Sequence, residues 1–174
     1  MGLQDTILAL KWVQTNCVFF GGDPSRITGI VGDPSPFNIL VFGESSGGQM
    51  IRALMASPKA KGLFKRAIIQ SDPQNYPLEN RTVSQGVVGE YALSQMGCST
   101  LSCAQGLSIS QIVSATTLVS NVAPYLNPAV PITPLSPTID GTWVAGDWSA
   151  LIASGSLPNQ VDVIMGIYLL FGHL

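Results

Sequence analysis

Ser45 carries the clearest chemical signal in the sequence. It lies in Gly43-Glu44-Ser45-Ser46-Gly47, a G-x-S-x-G pattern followed by a further glycine, Gly48. A serine hydroxyl at such a position is a nucleophile in waiting. It needs a base to take its proton and amide donors to hold the oxyanion that forms when it attacks a carbonyl. The pattern by itself is also what a Gly-rich turn looks like in a chain with 18 glycines. Its flanks favour chemistry. An apolar, strand-like run, Ile39 to Phe42, leads in, and a helix-like stretch, Gly48 to Ala56, leads out before Ser57-Pro58. On a tight strand-to-helix turn a serine is held in strained backbone geometry with its hydroxyl clear of the sheet. The amide of Ser46 then faces the developing oxyanion, and the helix N-terminus adds positive potential there. The flanking glycines are expected because a side chain would collide with the neighbouring strand or helix.

The elements that must position this serine can be read from the pattern. A helix is expected over Leu3 to Thr15, with Leu3, Ile7, Leu10 and Val13 on one face. A loop follows from Gly21 to Ser35. The elbow strand is expected at Asn38 to Phe42, its helix at Gly47 to Ala56, and a second strand at Ala67 to Ser71. Thr82 to Met96 reads as helix despite Gly86 and Gly89. Short helices are expected near Leu101 and over Ser110 to Ala115. The five prolines between Asn121 and Pro137 suggest irregular loop. Asp147 caps a helix that ends before Gly155, and Val161 to Met165 reads as a strand. Three strands result, fewer than a buried parallel sheet ordinarily has.

Several blocks together carry a family resemblance. Gly2-Leu3-Gln4-Asp5, Ala9 to Asn16 and Phe20-Gly21-Gly22-Asp23-Pro24 run towards Phe42 to Gly48. Lys61-Gly62-Leu63-Phe64, Arg66 to Ser71 and Pro137-Thr138-Ile139-Asp140-Gly141 follow. This arrangement resembles the type-B carboxylesterase and cholinesterase family. Asp72 to Tyr76 and the Cys98/Cys103 pair look most like its fungal lipase branch. The resemblance implies an α/β class: a partial α/β-hydrolase fold, with a central mostly parallel sheet, flanking helices, and N- and C-terminal parts lacking. On that reading residues 1–174 are one partial esterase domain that hydrolyses carboxylic esters through an acyl-enzyme on Ser45, without a cofactor. Ser46 would supply a backbone donor of the oxyanion hole. Glu44 would help place the elbow. Ser71 would stand behind the triad, or be an ordinary strand-end hydroxyl.

The rest of the machinery does not fit the pattern. In this fold the acid and then the histidine follow the serine. Phe171 stands where the family places the acid. His173, the only histidine, comes directly after it, far earlier than the family's triad histidine. A glycine-rich loop that would complete the oxyanion hole is expected before residue 1. Residues 29–40 form an atypical insert in which Gly22-Asp23-Pro24-Ser25 recurs as Gly32-Asp33-Pro34-Ser35. A translated intron accounts for it better than a surface loop does. Residues 167–174 form a divergent tail. The expectation is a truncated, catalytically incomplete esterase. The alternative is a non-catalytic esterase-like remnant or interaction protein.

Composition narrows the setting. Charged residues make up 10% against about 25% in soluble domains, as suits a piece of a larger body. A net charge of −2 without a basic cluster argues against nucleic-acid binding. No apolar run reaches the roughly 18 residues that would span a membrane. Cys98 and Cys103 have the spacing of a short disulfide loop, and the resemblance supports a bridge there, hence an oxidising compartment. Cys17 is left over. Asn80-Arg81-Thr82 is a glycosylation sequon. Met1-Gly2-Leu3-Gln4-Asp5 does not read as a signal peptide, and the resemblance implies secretion for the full-length family member. Two cysteines and a distant histidine are too few to hold a metal. The expected partner is a small-molecule or lipid ester.

Overall fold

The computed structural model describes residues 2–22, 39–72, 78–126, 130 and 134–167. In chain order the elements are α1 (Gly2–Asn16), a 3-10 turn (Cys17–Phe20), β1 (Leu40–Glu44), α2 (Ser46–Met55) and β2 (Arg66–Gln70). Then come β3 (Glu79–Asn80), α3 (Arg81–Val83), a π-helical segment (Ser84–Gly89), α4 (Glu90–Gln95), α5 (Leu101–Gln105) and α6 (Ile109–Leu126). The last are β4 (Thr138–Ile139), α7 (Trp148–Ala153) and β5 (Asp162–Gly166). The chain divides into two compact units, residues 1–75 with 141–174, and residues 76–140.

The first unit is built on a three-stranded parallel sheet in the order β1-β2-β5. Parallel neighbours require a crossover, and α2 makes it between β1 and β2. The register pairs Val41 with Ala67 and Gly43 with Ile69, while Phe42 pairs with Ile68 and Ile68 with Ile164. Because strand side chains alternate, one face collects Val41, Gly43, Ala67 and Ile69. Ala67 and Ile69 are fully buried there, with Ile51, Leu54 and Met55 of α2 buried in the same core. The opposite face carries Leu40, Phe42 and Ile164, which stay exposed. Helix α1 buries Leu3, Ile7 and Leu10 as expected, but Val13 is exposed. Its C-terminal turn is held instead by Gln14, whose Nε2 donates to the carbonyls of Gly62 and Leu63 at 3.3 and 3.4 Å.

The elbow strand lies two residues later than the sequence suggested. Leu40, placed at the end of the atypical insert, is the first residue of β1 and pairs with Arg66. The carbonyl of Ile39 already accepts the Lys65 amide at 3.0 Å. Residues 29–38 of the insert and the repeated G-D-P-S lie outside the described residues, as do residues 168–174 of the tail.

In the second unit β3 and β4 form a short parallel pair, Glu79 with Thr138 and Asn80 with Ile139. Two expectations fail here. The helix expected at Ser110 to Ala115 runs on to Leu126, through Pro124 in what had read as loop. Ala115, Val119 and Ala123 explain the difference. They recur every four residues and are buried, and Val119 and Ala123 pack in one cluster with Val88 and Val130, so burial of this stripe outweighs the proline's local cost. The stretch expected as one helix from Thr82 to Met96 is helical but widens into the π segment at Ser84–Gly89. That wide turn carries Val88, 4% exposed, into the cluster with Val119.

Candidate active site

The carboxyl ends of the three parallel strands converge, since Glu44, Gln70 and Gly166 are register partners across the sheet. Ligand sites in parallel α/β sheets lie beyond this edge. The two residues that follow β1 and β2 are Ser45 and Ser71, and these are the non-glycine residues with positive φ among those described, at 54° and 46°. L-residues rarely adopt this region, and retained strain of this kind clusters at functional sites.

Hydrogen bonds hold both serines in place. The Ser45 amide donates to the Gln70 carbonyl at 2.9 Å, and the Ser45 carbonyl accepts the Gln49 amide at 3.1 Å as the first bond of α2. The Ser45 side chain makes no cap bond to the helix, and the residue is exposed, so its hydroxyl is open to a reactant. Ser46 is the first residue of α2. Its amide has no acceptor within the helix and stands at the positive end of the helix dipole. The Ser71 amide donates to the Gly166 carbonyl at 2.7 Å, tying the turn after β2 to the end of β5. A cleft of about 250 Å³ opens beside this edge, lined by Ile68, Gln70, Ile164, Met165 and Ile167 among others.

The three glycines have different reasons. A Cβ at Gly43 would lie 2.6 Å from the Gly47 carbonyl carbon, and one at Gly48 would lie 2.8 Å from the Asp72 Cβ. A side chain at either position would therefore force its neighbour to shift. Gly47 departs from the expectation: a Cβ there meets nothing within 4 Å. It is Gly47's backbone, not its missing side chain, that lies against the strand. Glu44 is exposed at the end of β1, beside rather than within the turn.

Two polar groups that support the elbow were not anticipated. Arg52 and Asp72 form a buried ion pair, with Arg52 Nε 2.5 Å from Asp72 Oδ2 and Arg52 Nη2 donating to Asp72 Oδ1 at 3.1 Å. Asn159 reaches the other end of α2, its Nδ2 donating to the carbonyls of Leu54, Met55 and Ser57 at 2.9, 3.3 and 2.7 Å. Leu54 and Met55 end α2 and Ser57 follows it; the Leu54 and Ser57 carbonyls also accept the Ser57 and Ala60 amides, both at 3.1 Å, and the buried amide from a distant loop adds a side-chain donor to all three. In sequence Asn159 is one polar residue in a loop, and nothing marks it.

Of the remaining candidates, Cys98, Cys103 and Asn80 lie in the second unit and Cys17 in the first. Cys98 and Cys103 are disulfide-bonded, with Cα atoms 5.6 Å apart, and Cys17 is a half-buried free thiol. Asn80 is exposed and caps α3, its Oδ1 accepting the Val83 amide at 2.9 Å. Its Nδ2 takes no part in that cap. Glu79 is buried, and burial pushes its carboxyl up to about 7, with the Ser84 hydroxyl pulling the other way. His173 and Phe171 lie outside the described residues. Among the described residues there is no histidine, no group of three His, Cys, Asp or Glu side chains that could hold a metal ion, and no helix long and apolar enough to cross a membrane.

Known proteins share both the sequence and the architecture. A family model described as "Carboxylesterase family" matches residues 1–169. The para-nitrobenzyl esterase of Bacillus subtilis (strain 168) is 49% identical over 71 residues, 41% of this chain and 12% of its own length. Neuroligin-3 of Mus musculus is 33% identical over 168 residues, 95% of this chain and 18% of its own. The solved structure titled as a thermophilic PNB esterase superposes with a TM-score of 0.73 at 28% identity, covering 95% of this chain and 31% of that one. The chain thus spans under a third of each of these relatives. The parallel sheet and flanking helices are part of an α/β-hydrolase fold, and the chain belongs to the carboxylesterase family.

Proposed function

We propose that Ser45 is the nucleophile of a carboxylic ester hydrolase. The observation that supports this most is its backbone: φ of 54° on the turn between β1 and α2, with an exposed hydroxyl and the Ser46 amide beside it. Ser45 Oγ attacks the ester carbonyl, its proton goes to a base, and the carbonyl oxygen becomes an oxyanion. The Ser46 amide and the N-terminus of α2 stabilise that charge. Collapse of the intermediate expels the alcohol, which takes the proton back from the base. Water then cleaves the acyl-enzyme by the same steps in reverse order. Glu44 helps hold the turn, and Ser71 stands behind the triad. No cofactor enters the reaction.

The base and the acid that orients it come from outside the described residues. On this reading the 174-residue chain is catalytically incomplete by itself, and the activity belongs to a longer secreted product in which Asn80 is glycosylated. A second reading is a non-catalytic, esterase-like protein. Its support is the similarity to Neuroligin-3 over 95% of the chain, a relative whose name is not that of an enzyme. Ser45 itself argues against it.

Sequencing the transcript across residues 29–40 and beyond both ends separates the readings. A longer message without that insert, encoding an upstream glycine-rich loop, an acid and a late histidine, supports the enzyme. Its product should hydrolyse a chromogenic short-chain ester and lose that activity in Ser45→Ala. A message encoding these 174 residues alone would favour the remnant.

A further inference from the structure

We infer that Arg52 and Asp72 are a positioning pair for the elbow, setting where the N-terminus of α2 sits against Ser45; their importance for catalysis rests on the reading of Ser45 as nucleophile. Gly48 and Arg52 are one helical turn apart and share a face of α2. Asp72 covers that face, touching the space a Gly48 side chain would need and gripping Arg52 with both carboxylate oxygens. Asp72 directly follows Ser71, whose positive φ turns the chain over the sheet edge. Ser71 is tied to β5 through Gly166, and the preceding residue, Gln70, holds the Ser45 amide. One continuous path thus runs from Arg52 through Asp72 and the Ser71 turn to the backbone of Ser45.

A purely cohesive role explains the pair poorly. Side-chain exposure is 3% for Arg52 and 0% for Asp72, and an apolar pair of similar volume is commonly as stable as a buried ion pair or more so. What an apolar pair cannot supply is direction. A guanidinium held to a carboxylate by one hydrogen bond from Nη2 and a close ionic contact at Nε allows little sliding or rotation. Here that restraint acts on the helix whose first amides face the nucleophile, where displacement of about 1 Å is enough to cost a large factor in rate.

Amide hydrogen exchange tests this without needing turnover. In Arg52→Met the Ser45 and Ser71 amides should exchange at least about tenfold faster. The Asn159 amide, which bonds Met55 at the far end of α2 at 3.1 Å, should stay within about twofold. Arg52→Lys keeps the charge but not the two-point contact and should return only a minor part of the protection. If Arg52→Met does not fold, Asp72→Asn, of the same shape, takes its place with the same expectation. Equal acceleration at all three amides, or none at Ser45 and Ser71, overturns the proposal. In the longer ester-hydrolysing product, Arg52→Met should lower kcat at least about tenfold with KM little changed. Normal exchange changes alongside an active Ser45→Ala enzyme would sink the nucleophile reading and leave the positioning intact.

Discussion

Alanine at Gly43 and alanine at Gly47 should have opposite effects, although the two residues bracket the same serine. At Gly43 the new Cβ would sit 2.6, 2.8 and 2.9 Å from the carbonyl carbon, carbonyl oxygen and Cα of Gly47. Ordinary carbon contacts lie at about 3.5–4.0 Å, so β1 and α2 must part by about 1 Å. Both sides of the clash are backbone, so no rotamer change relieves it. Overpacking of this kind costs about 1–3 kcal/mol. At Gly47 the Cβ meets nothing within 4 Å, and alanine is better than glycine in a helix by up to about 1 kcal/mol. The two variants should differ by about 1–4 kcal/mol. In urea, where small proteins lose about 1–3 kcal/mol per molar, that moves the two midpoints apart by about 1 M. Equilibrium urea unfolding followed by circular dichroism reads it directly. Equal midpoints, or a larger loss for Gly47→Ala, would refute the packing argument for the elbow.

Other substitutions probe the supports of the fold. Glu79→Gln should be neutral below pH 4.5 and increasingly stabilising up to about pH 7. The carboxyl rises from 4.5 to about 7 on folding, so the folded state keeps its proton while the unfolded chain loses it, and wild-type stability falls across that window. The full gap is at most about 3 kcal/mol, less where water still reaches the carboxyl; a pH series of melting curves reads it, and a gap that is constant with pH contradicts the assignment. Asn159→Ala leaves the carbonyls of Leu54, Met55 and Ser57 without their side-chain donor and should cost about 1–3 kcal/mol, seen as a lower urea midpoint. A cost within 0.5 kcal/mol, the ordinary range for surface changes, would mean that water replaces the amide.

The motif was legible because its requirements are local. G-x-S-x-G with an apolar run before and a helical run after specifies a turn, and Gly43 and Gly48 have the steric reason that the pattern implies. Gly47 shows the limit, since a pattern cannot tell whether a glycine frees space for a neighbour or lends its own backbone to the contact. The three strands of the main sheet were found to within one or two residues, but the short β3–β4 pair and the end of α6 were missed. Pro124 is a strong local signal, and the Ala115, Val119 and Ala123 stripe that overrides it acts only once Val88 and Val130 are in contact range. The Arg52–Asp72 pair and the Asn159 clamp were unreadable for the same reason. Their partners are 20 and more than 100 residues away, and nothing in either local sequence announces a partner. The resemblance supplied what spacing could not, the family and with it the proposed role of the serine.

The most direct test is to treat the full-length product carrying this segment with a fluorophosphonate and identify the modified residue by peptide mass spectrometry. The account predicts a single adduct on the peptide containing Ser45, abolished in Ser45→Ala together with ester hydrolysis. Ester hydrolysis with the adduct on another residue, or undiminished activity in Ser45→Ala, would contradict it.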